Sequence, residues 1–280
     1  FVWIQHIANV LYTNIHSLDA DDCVLTGTTN AGFTHLTKIS KNTGLVSGYS
    51  KRGEAGDYYS MLQNGKLYGA CRRYYTGSDF RAAVFAHDAA TGDFEWQKNI
   101  ISPDTIGSTR MYPEKPVIDG NHIVVLASGD LDGFFTYANG PTDLVVAKTD
   151  LLGAVDWTKQ YVVAGYDRPV AARIVNTASG YYVVGNLYLQ SLGNFGYGFV
   201  IKVDKQGNVL WAKRLGISGK NIIKNIMERH GFLYMTMSSD SYAPNELLLL
   251  KLDQQGNTNT YCDFIQPVGI SVNNLNKVEK

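Results

Sequence analysis

The chain has 280 residues, and its 25 Lys and Arg balance 25 Asp and Glu. That balance leaves no global field to attract nucleic acid or an anionic membrane surface. No apolar run approaches the roughly 18 residues of a membrane-spanning helix.

The N-terminal stretch Phe1–Ile7 reads as an outer β-strand carrying Trp3, comparable to later segments at Glu95–Ile100 and Leu210–Leu215. A turn at Asp21-Asp22 precedes a strand at Cys23–Thr26, and a hairpin centred on Gly44 follows. The same order returns along the chain. Tyr58–Gln63, the turn Asn64-Gly65 and the strand Lys66–Ala70 lead to the hairpin Ala86–Trp96, which contains Asp88, Gly92 and Trp96. Asp119-Gly120 and His122–Ala127 lead to a hairpin with Asp150, Gly153 and Trp157. Val170–Asn176, Ser179-Gly180 and Tyr181–Gly185 lead to one with Asp204, Gly207 and Trp211. Ile222–Met227, His230-Gly231 and Phe232–Met237 lead to a fifth, weaker hairpin at Gly256.

The hairpin glycines are 48, 61, 54 and 49 residues apart. Each glycine supplies the positive φ that the turn needs, and the preceding Asp can accept from turn amides. Four antiparallel strands (a to d) in each unit of about 50 residues make a propeller blade. The fold expected is all-β, a β-propeller of four-stranded antiparallel blades with five full repeats and five or six blades, over residues 1–280. No helical stretch is expected. The tryptophans are read as packing between neighbouring blades.

Two closures are consistent with the ends. Pairing of the terminal strands would close a five-bladed ring and remove sheet edges. Alternatively, Gly269–Val272 starts a further blade and the chain is a segment of a longer propeller. A start at Phe1 with no leader favours a processed or excised chain.

The hairpin Ala-x-Asp-x-x-Thr-Gly-x-x-x-Trp at Ala86–Trp96 resembles the quinoprotein-like (PQQ-like) propeller repeat. The copies at Gly153 and Gly207 lack the Thr and are equally similar to Asp-x-x-Gly-x-x-x-Trp repeats of bacterial surface and secreted propellers. That resemblance implies quinone-dependent dehydrogenases, outer-membrane assembly scaffolds or adhesion modules. The dehydrogenases of that family carry vicinal cysteines, calcium ligands and eight blades. Here Cys23, Cys71 and Cys262 are far apart in sequence, and no cofactor is expected. An odd cysteine count also leaves no complete disulfide framework.

Propeller geometry puts the d–a and b–c connections on one face. There the sequence places aromatic and arginine residues in long loops: Arg72, Tyr74 and Tyr75; Phe134, Phe135 and Tyr137; Phe195 and Tyr197; and Arg168 after the third blade. Loops of this length are costly to order and are usually functional, and Tyr and Arg are common anchors at interfaces. These nine residues are the candidate binding face, for a protein partner or for a glycan stacked on the rings. Asp130 and Asp132 resemble the opening of a calcium loop but lack its later ligands, so a plain turn is favoured and no metal is expected. The proposed inner strands hold Glu114 near one end and Glu228 just after another, with few carboxylates inside, thin support for a glycoside-active enzyme. The reading favoured is a non-catalytic binding or scaffold propeller in a bacterial secreted, envelope or surface assembly. Carbohydrate recognition is its alternative.

Overall fold

The computed structural model describes residues 10–29, 33–55, 58–74, 80–100, 110–130, 143–166, 168–189, 194–241, 243, 246–258 and 263–275. The described residues form strands and turns and no helix. Blade 1 is β1 (Val10–Ser17), β2 (Asp22–Thr29), β3 (Phe33–Ser40) and β4 (Val46–Ala55), paired in that order. Blade 2 is β5 (Tyr58–Gln63), β6 (Lys66–Tyr74), β7 (Phe80–Asp88) and β8 (Phe94–Asn99). Blade 3 opens on a broken strand, β9 (Arg110–Pro113) and β10 (Val117–Asp119), followed by β11 (His122–Asp130), β12 (Asp143–Asp150) and β13 (Val155–Val163). Blade 4 comprises β14 (Arg168–Thr177), β15 (Gly180–Leu189), β16 (Asn194–Val203) and β17 (Val209–Leu215). Blade 5 shows β18 (Asn221–Arg229), β19 (Phe232–Ser239) and β20 (Glu246–Leu252) among the described residues.

The alternation of side chains decides which face packs inward. In β19, Leu233, Met235 and Met237 are buried, while their neighbours Tyr234, Thr236 and Ser238 are only partly so, the period of two that a strand imposes. Four apolar clusters result, one between each successive pair of blades. Val24 and Leu36 meet Leu67 and Phe85; Val84 meets Val125 and Val145; Leu126 and Val146 meet Val183 and Ile201; Val184 and Val200 meet Met235 and Leu250.

The hairpin repeat has one construction in the last four blades. Asp88, Asp150, Asp204 and Asp253 each accept two turn amides on Oδ1, for example from Ala90 and Thr91 or from Gln206 and Asn208. The glycine that follows has φ of 71, 81, 76 and 76° at positions 92, 153, 207 and 256. In blade 1, Ser40 replaces the Asp and its hydroxyl accepts from the Asn42 amide.

Trp96, Trp157 and Trp211 each reach the next blade. The Trp96 ring lies over Gly153, Trp157 over Gly207 and Trp211 over Gly256, each close enough that a Cβ would fall 2.7–2.9 Å from the ring. Trp211 also donates its indole N–H to the Gln254 carbonyl. Tyr161, fully buried, donates to the carbonyl of Gly207 at 2.7 Å. The left-handed glycine thus does two things at once: it closes its own turn and it provides a flat seat for the neighbouring blade's ring.

The C-terminal segment departs from the expectation that Gly269–Val272 begins a further blade. Here β21 (Ile265–Pro267) pairs antiparallel with the outer strand β17, and β22 (Ile270–Asn274) pairs with the outer strand β13. The tail runs back around the rim and adds a strand to blades 4 and 3. The physical reason is edge pairing: β13 and β17 otherwise present unpaired backbone groups, and a short strand nearby satisfies them. Phe1–Ile7, assigned an outer strand from sequence, lies outside the described residues.

Candidate binding face and axis

Where they are described, the connections that looked like long loops begin or end as continued strand. Arg72 and Tyr74 lie in β6, which pairs with β7 up to Tyr74 opposite Phe80; Phe195 and Tyr197 lie in β16. Tyr and Arg in alternation extend a ladder as readily as they populate a loop. Tyr75, Phe134, Phe135, Tyr137 and Asp132 lie outside the described residues, as do the side chains of Tyr74, Asp130 and Phe195.

Three of the nine face residues are described with their side chains, and all three take part in arginine–tyrosine contacts. The Arg72 guanidinium lies 5.1 Å from the Tyr112 ring centroid, and the Arg168 guanidinium 4.5 Å from that of Tyr188. Tyr197 carries the guanidinium of Arg214 at 4.5 Å and meets Tyr166 edge-on, with centroids 6.0 Å apart. Arg168 opposes Tyr188 across β14 and β15, and Tyr197 and Arg214 sit at the matching ends of β16 and β17. Tyr166, Arg168, Tyr188, Tyr197 and Arg214 therefore form one half-buried patch at the d–a and b–c end of blade 4. Burial raises the pKa of the Tyr166 hydroxyl against the pull of Arg214, which also hydrogen-bonds it. Arg214 was not a candidate from sequence: it stands in the repeat's outer strand among ordinary alternating residues, and only the ring beneath it distinguishes it.

At the opposite end, Asp119, the last residue of β10, is a hub between blades 3 and 4. Its carboxylate accepts from Lys148 at 3.1 Å, Lys205 at 2.7 Å and the Tyr181 hydroxyl at 2.5 Å. Burial opposes its ionisation, but the hydrogen bonds from Lys205, Tyr181 and Lys148 outweigh that and hold the carboxyl well below the usual range.

Nearby, Lys202 is only 3% exposed, donates to Thr177 Oγ1 at 2.8 Å and stands 3.9 Å from the Tyr182 centroid. Burial, reinforced by the charge of Lys205, lowers its pKa from 10.5 to about 8. The unfolded lysine keeps its proton up to 10.5, whereas the folded one releases it near 8. Stability contributed at this site therefore rises with pH across that window. Lys202→Met is expected to stabilise the chain by about 1 kcal/mol near neutral pH and to remove this rise. Urea midpoints of both chains at about pH 7 and about pH 9.5 check it; a parallel pH response in the two would refute it.

The two carboxylates considered for catalysis from sequence lie in different blades. Glu228 lies within β18 rather than after it, and its Oε1 accepts from the Gly231 amide at 2.8 Å, so it caps the β18–β19 turn. Glu114 lies between β9 and β10, and its amide donates to the Leu126 carbonyl. Among the described residues there is no group of three or more His, Cys, Asp or Glu placed to hold a metal ion. Cys23 and Cys71 are both buried as small apolar residues. No helix among the described residues is long and apolar enough to cross a membrane.

No protein-family model matches the sequence. No curated protein matches it either. Solved structures do. The subtype N10 neuraminidase-like protein of A/little yellow-shouldered bat/Guatemala/060/2010 superposes with a TM-score of 0.54 at 10% identity, over 97% of this chain and 85% of that one. The fold is a β-propeller. The Penicillium chrysogenum alpha-L-arabinanase follows at a TM-score of 0.46 and 11% identity, over 90% of this chain and 96% of the enzyme. The quinohemoprotein alcohol dehydrogenase of Comamonas testosteroni gives 0.45 at 11% identity, over 89% of this chain and 47% of the dehydrogenase. At these identities the likeness concerns architecture alone, and it does not single out the quinoprotein-like repeat.

Proposed function

We propose that this chain is a non-catalytic binding propeller that engages a protein partner through the arginine–tyrosine patch of blade 4, within a bacterial secreted, envelope or surface assembly. The observation that carries this reading is the stacking of Arg168 on Tyr188 and of Arg214 on Tyr197 at one end of the blade. A guanidinium held against a ring is pre-ordered, so less side-chain entropy is lost on association, and Arg and Tyr are the residue types that anchor protein interfaces. Sugar stacking needs an open ring face, and here a guanidinium already covers one face of each of these two tyrosines. The patch is cationic, which suits an acidic surface on the partner. The Asp-x-x-Gly-x-x-x-Trp hairpins suit a quinoprotein-like scaffold repeat without its cofactor.

The test is native mass spectrometry of the chain purified from its source, as wild type and as the double variant Arg168→Ala, Arg214→Ala. A protein partner on the wild type that the variant loses by about tenfold or more, or about 1.4 kcal/mol, supports the proposal. A partner retained by the variant moves the interface elsewhere. Binding of the wild type to a glycan array, lost in the variant, would support the carbohydrate alternative instead.

A further inference from the structure

The first strands of four blades meet around a cavity of about 520 Å³, lined by Met61 of β5, residues 115–118 at the break in blade 3's inner strand, residues 173–176 of β14, and Ile226 of β18. Because each of these is the inner strand of its blade, the cavity lies on the propeller axis. The backbone there is irregular in a repeated way. The ladder β14–β15 shifts register between Ala171 and Arg173, and β18–β19 shifts between Ile223 and Asn225. Blade 3 breaks at a similar point, between Pro113 and Val117. A bulge adds one residue and re-aims the side chain that follows it. The residues so placed are Lys115, Arg173 and Asn225.

Arg173 is exposed, and its Nη1 donates to Asn225 Oδ1 at 2.5 Å, a neutral acceptor that leaves the charge uncompensated. Lys115 is exposed and has no hydrogen-bond or ion-pair partner among the described residues. Among the described residues, no Asp or Glu lines the cavity. Asp119, next to Ile118 of the lining, is already engaged by Lys148 and Lys205. Two cations thus stand over a cavity whose remaining walls, such as Val117, Ile174 and Ile226, are apolar apart from Asn176. Its volume lies in the range of small-molecule sites.

We infer that this axial cavity binds a small organic carboxylate with a hydrocarbon body, its carboxylate held between Arg173 and Lys115 and its body against the apolar walls. Guanidinium geometry matches a carboxylate's two oxygens, and the ammonium adds a second charge. The apolar lining disfavours a fully hydrated inorganic anion, which would gain no burial there. This site is separate from the blade 4 patch and does not depend on its role.

The probes are hexanoate, hexanamide and inorganic phosphate, titrated into the full chain by calorimetry and by NMR observation of the Met61 methyl. Hexanoate is expected to bind and to shift the Met61 signal, with about tenfold or greater weakening in each of Lys115→Met and Arg173→Met and loss in the double variant. Arg173→Lys, which keeps the charge and loses the fork, should fall between wild type and Arg173→Met. Both positions are exposed, so unchanged melting temperatures show that the variants fold. Equal binding of hexanamide would mean that the walls alone bind and would overturn the inference. So would phosphate binding in place of hexanoate, an unchanged affinity in the double variant, or no binding of hexanoate to the wild type.

Discussion

Asp119→Ala is expected to cost about 3 kcal/mol of unfolding free energy, because it removes one carboxylate and strands three donors at once. For a chain of this size the melting temperature should fall by roughly 6–12 °C. The Tyr181 ring is fully buried and its hydroxyl donates to Asp119 at 2.5 Å. Without that acceptor the hydroxyl bears its full desolvation penalty. Lys148 and Lys205, which share the carboxylate, are left as like charges near each other. Lys205 retains Asn176 Oδ1 at 2.6 Å and the Tyr181 ring at 4.6 Å, so it remains anchored beside the new vacancy rather than swinging into solvent.

The pH dependence follows from the direction of the Asp119 shift. Its carboxyl ionises at lower pH in the folded chain than in the unfolded one, whose ordinary value is 3.8. The stabilisation is thus complete above that value and disappears as pH falls through the folded one. Acid unfolding of wild type should steepen below about pH 4, and that part should be missing in Asp119→Ala. His16 acts over a higher pH interval than Asp119 and in the same direction. Burial, with the charge of Lys115, lowers its pKa from 6.5 to about 4, so stability declines as pH falls across that interval. Denaturant midpoints between about pH 2.5 and 7 separate the two. If Asp119→Ala loses less than about 1 kcal/mol, solvent already screens the cluster and the hub does not hold blades 3 and 4 together.

The sequence made some of these features legible and hid others for identifiable reasons. The hairpin Asp, Gly and Trp recur because backbone geometry admits few residues there: only a left-handed glycine closes the turn, and a short carboxylate caps it. Repetition makes such a constraint visible in one chain. Asp119, Lys148, Tyr181 and Lys205 form a cluster only across two blades, and each looks locally like an ordinary turn or strand residue. Arg214 is equally plain until Tyr197 is seen beneath it. Bulges at Ala171/Arg173 and Ile223/Asn225 leave no sequence mark, since neither is signalled by glycine. Arg173 looks like one more polar residue on an alternating strand, yet the extra residue before it sends it to the axis. Strand pairing at the C-terminus was illegible for another reason. Ile270–Asn274 is suited to extend any open edge, and which edge it meets is fixed by where the chain leaves blade 5.

The same glycines that reveal the repeat also separate conformational from packing constraint. Gly207→Ala is expected to cost about 2–4 kcal/mol, and Gly65→Ala only about 1–2. The two have nearly the same backbone, with φ of +76 and +73°, so an added Cβ meets the same left-handed penalty in both. Around Gly65 nothing lies within 4 Å of that Cβ. At Gly207 it falls 2.9 Å from Trp157 Cη2 and Cζ3 and 3.0 Å from the Tyr161 hydroxyl. Neither neighbour can yield easily, because Tyr161 is fully buried and is itself bonded to the Gly207 carbonyl. The ring has to leave its seat, which opens blade 3 from blade 4 and should change Trp157 fluorescence as well as the unfolding midpoint. Equal losses in the two variants, with tryptophan emission unchanged, would reduce the glycine to its turn and leave the ring seat without energetic consequence. A larger loss at Gly207 would mean that this position carries two constraints, one set by the turn and one set by the tryptophan of the preceding blade. Gly153 and Gly256 hold the equivalent places under Trp96 and Trp211, so the same excess over Gly65 is expected when either is replaced.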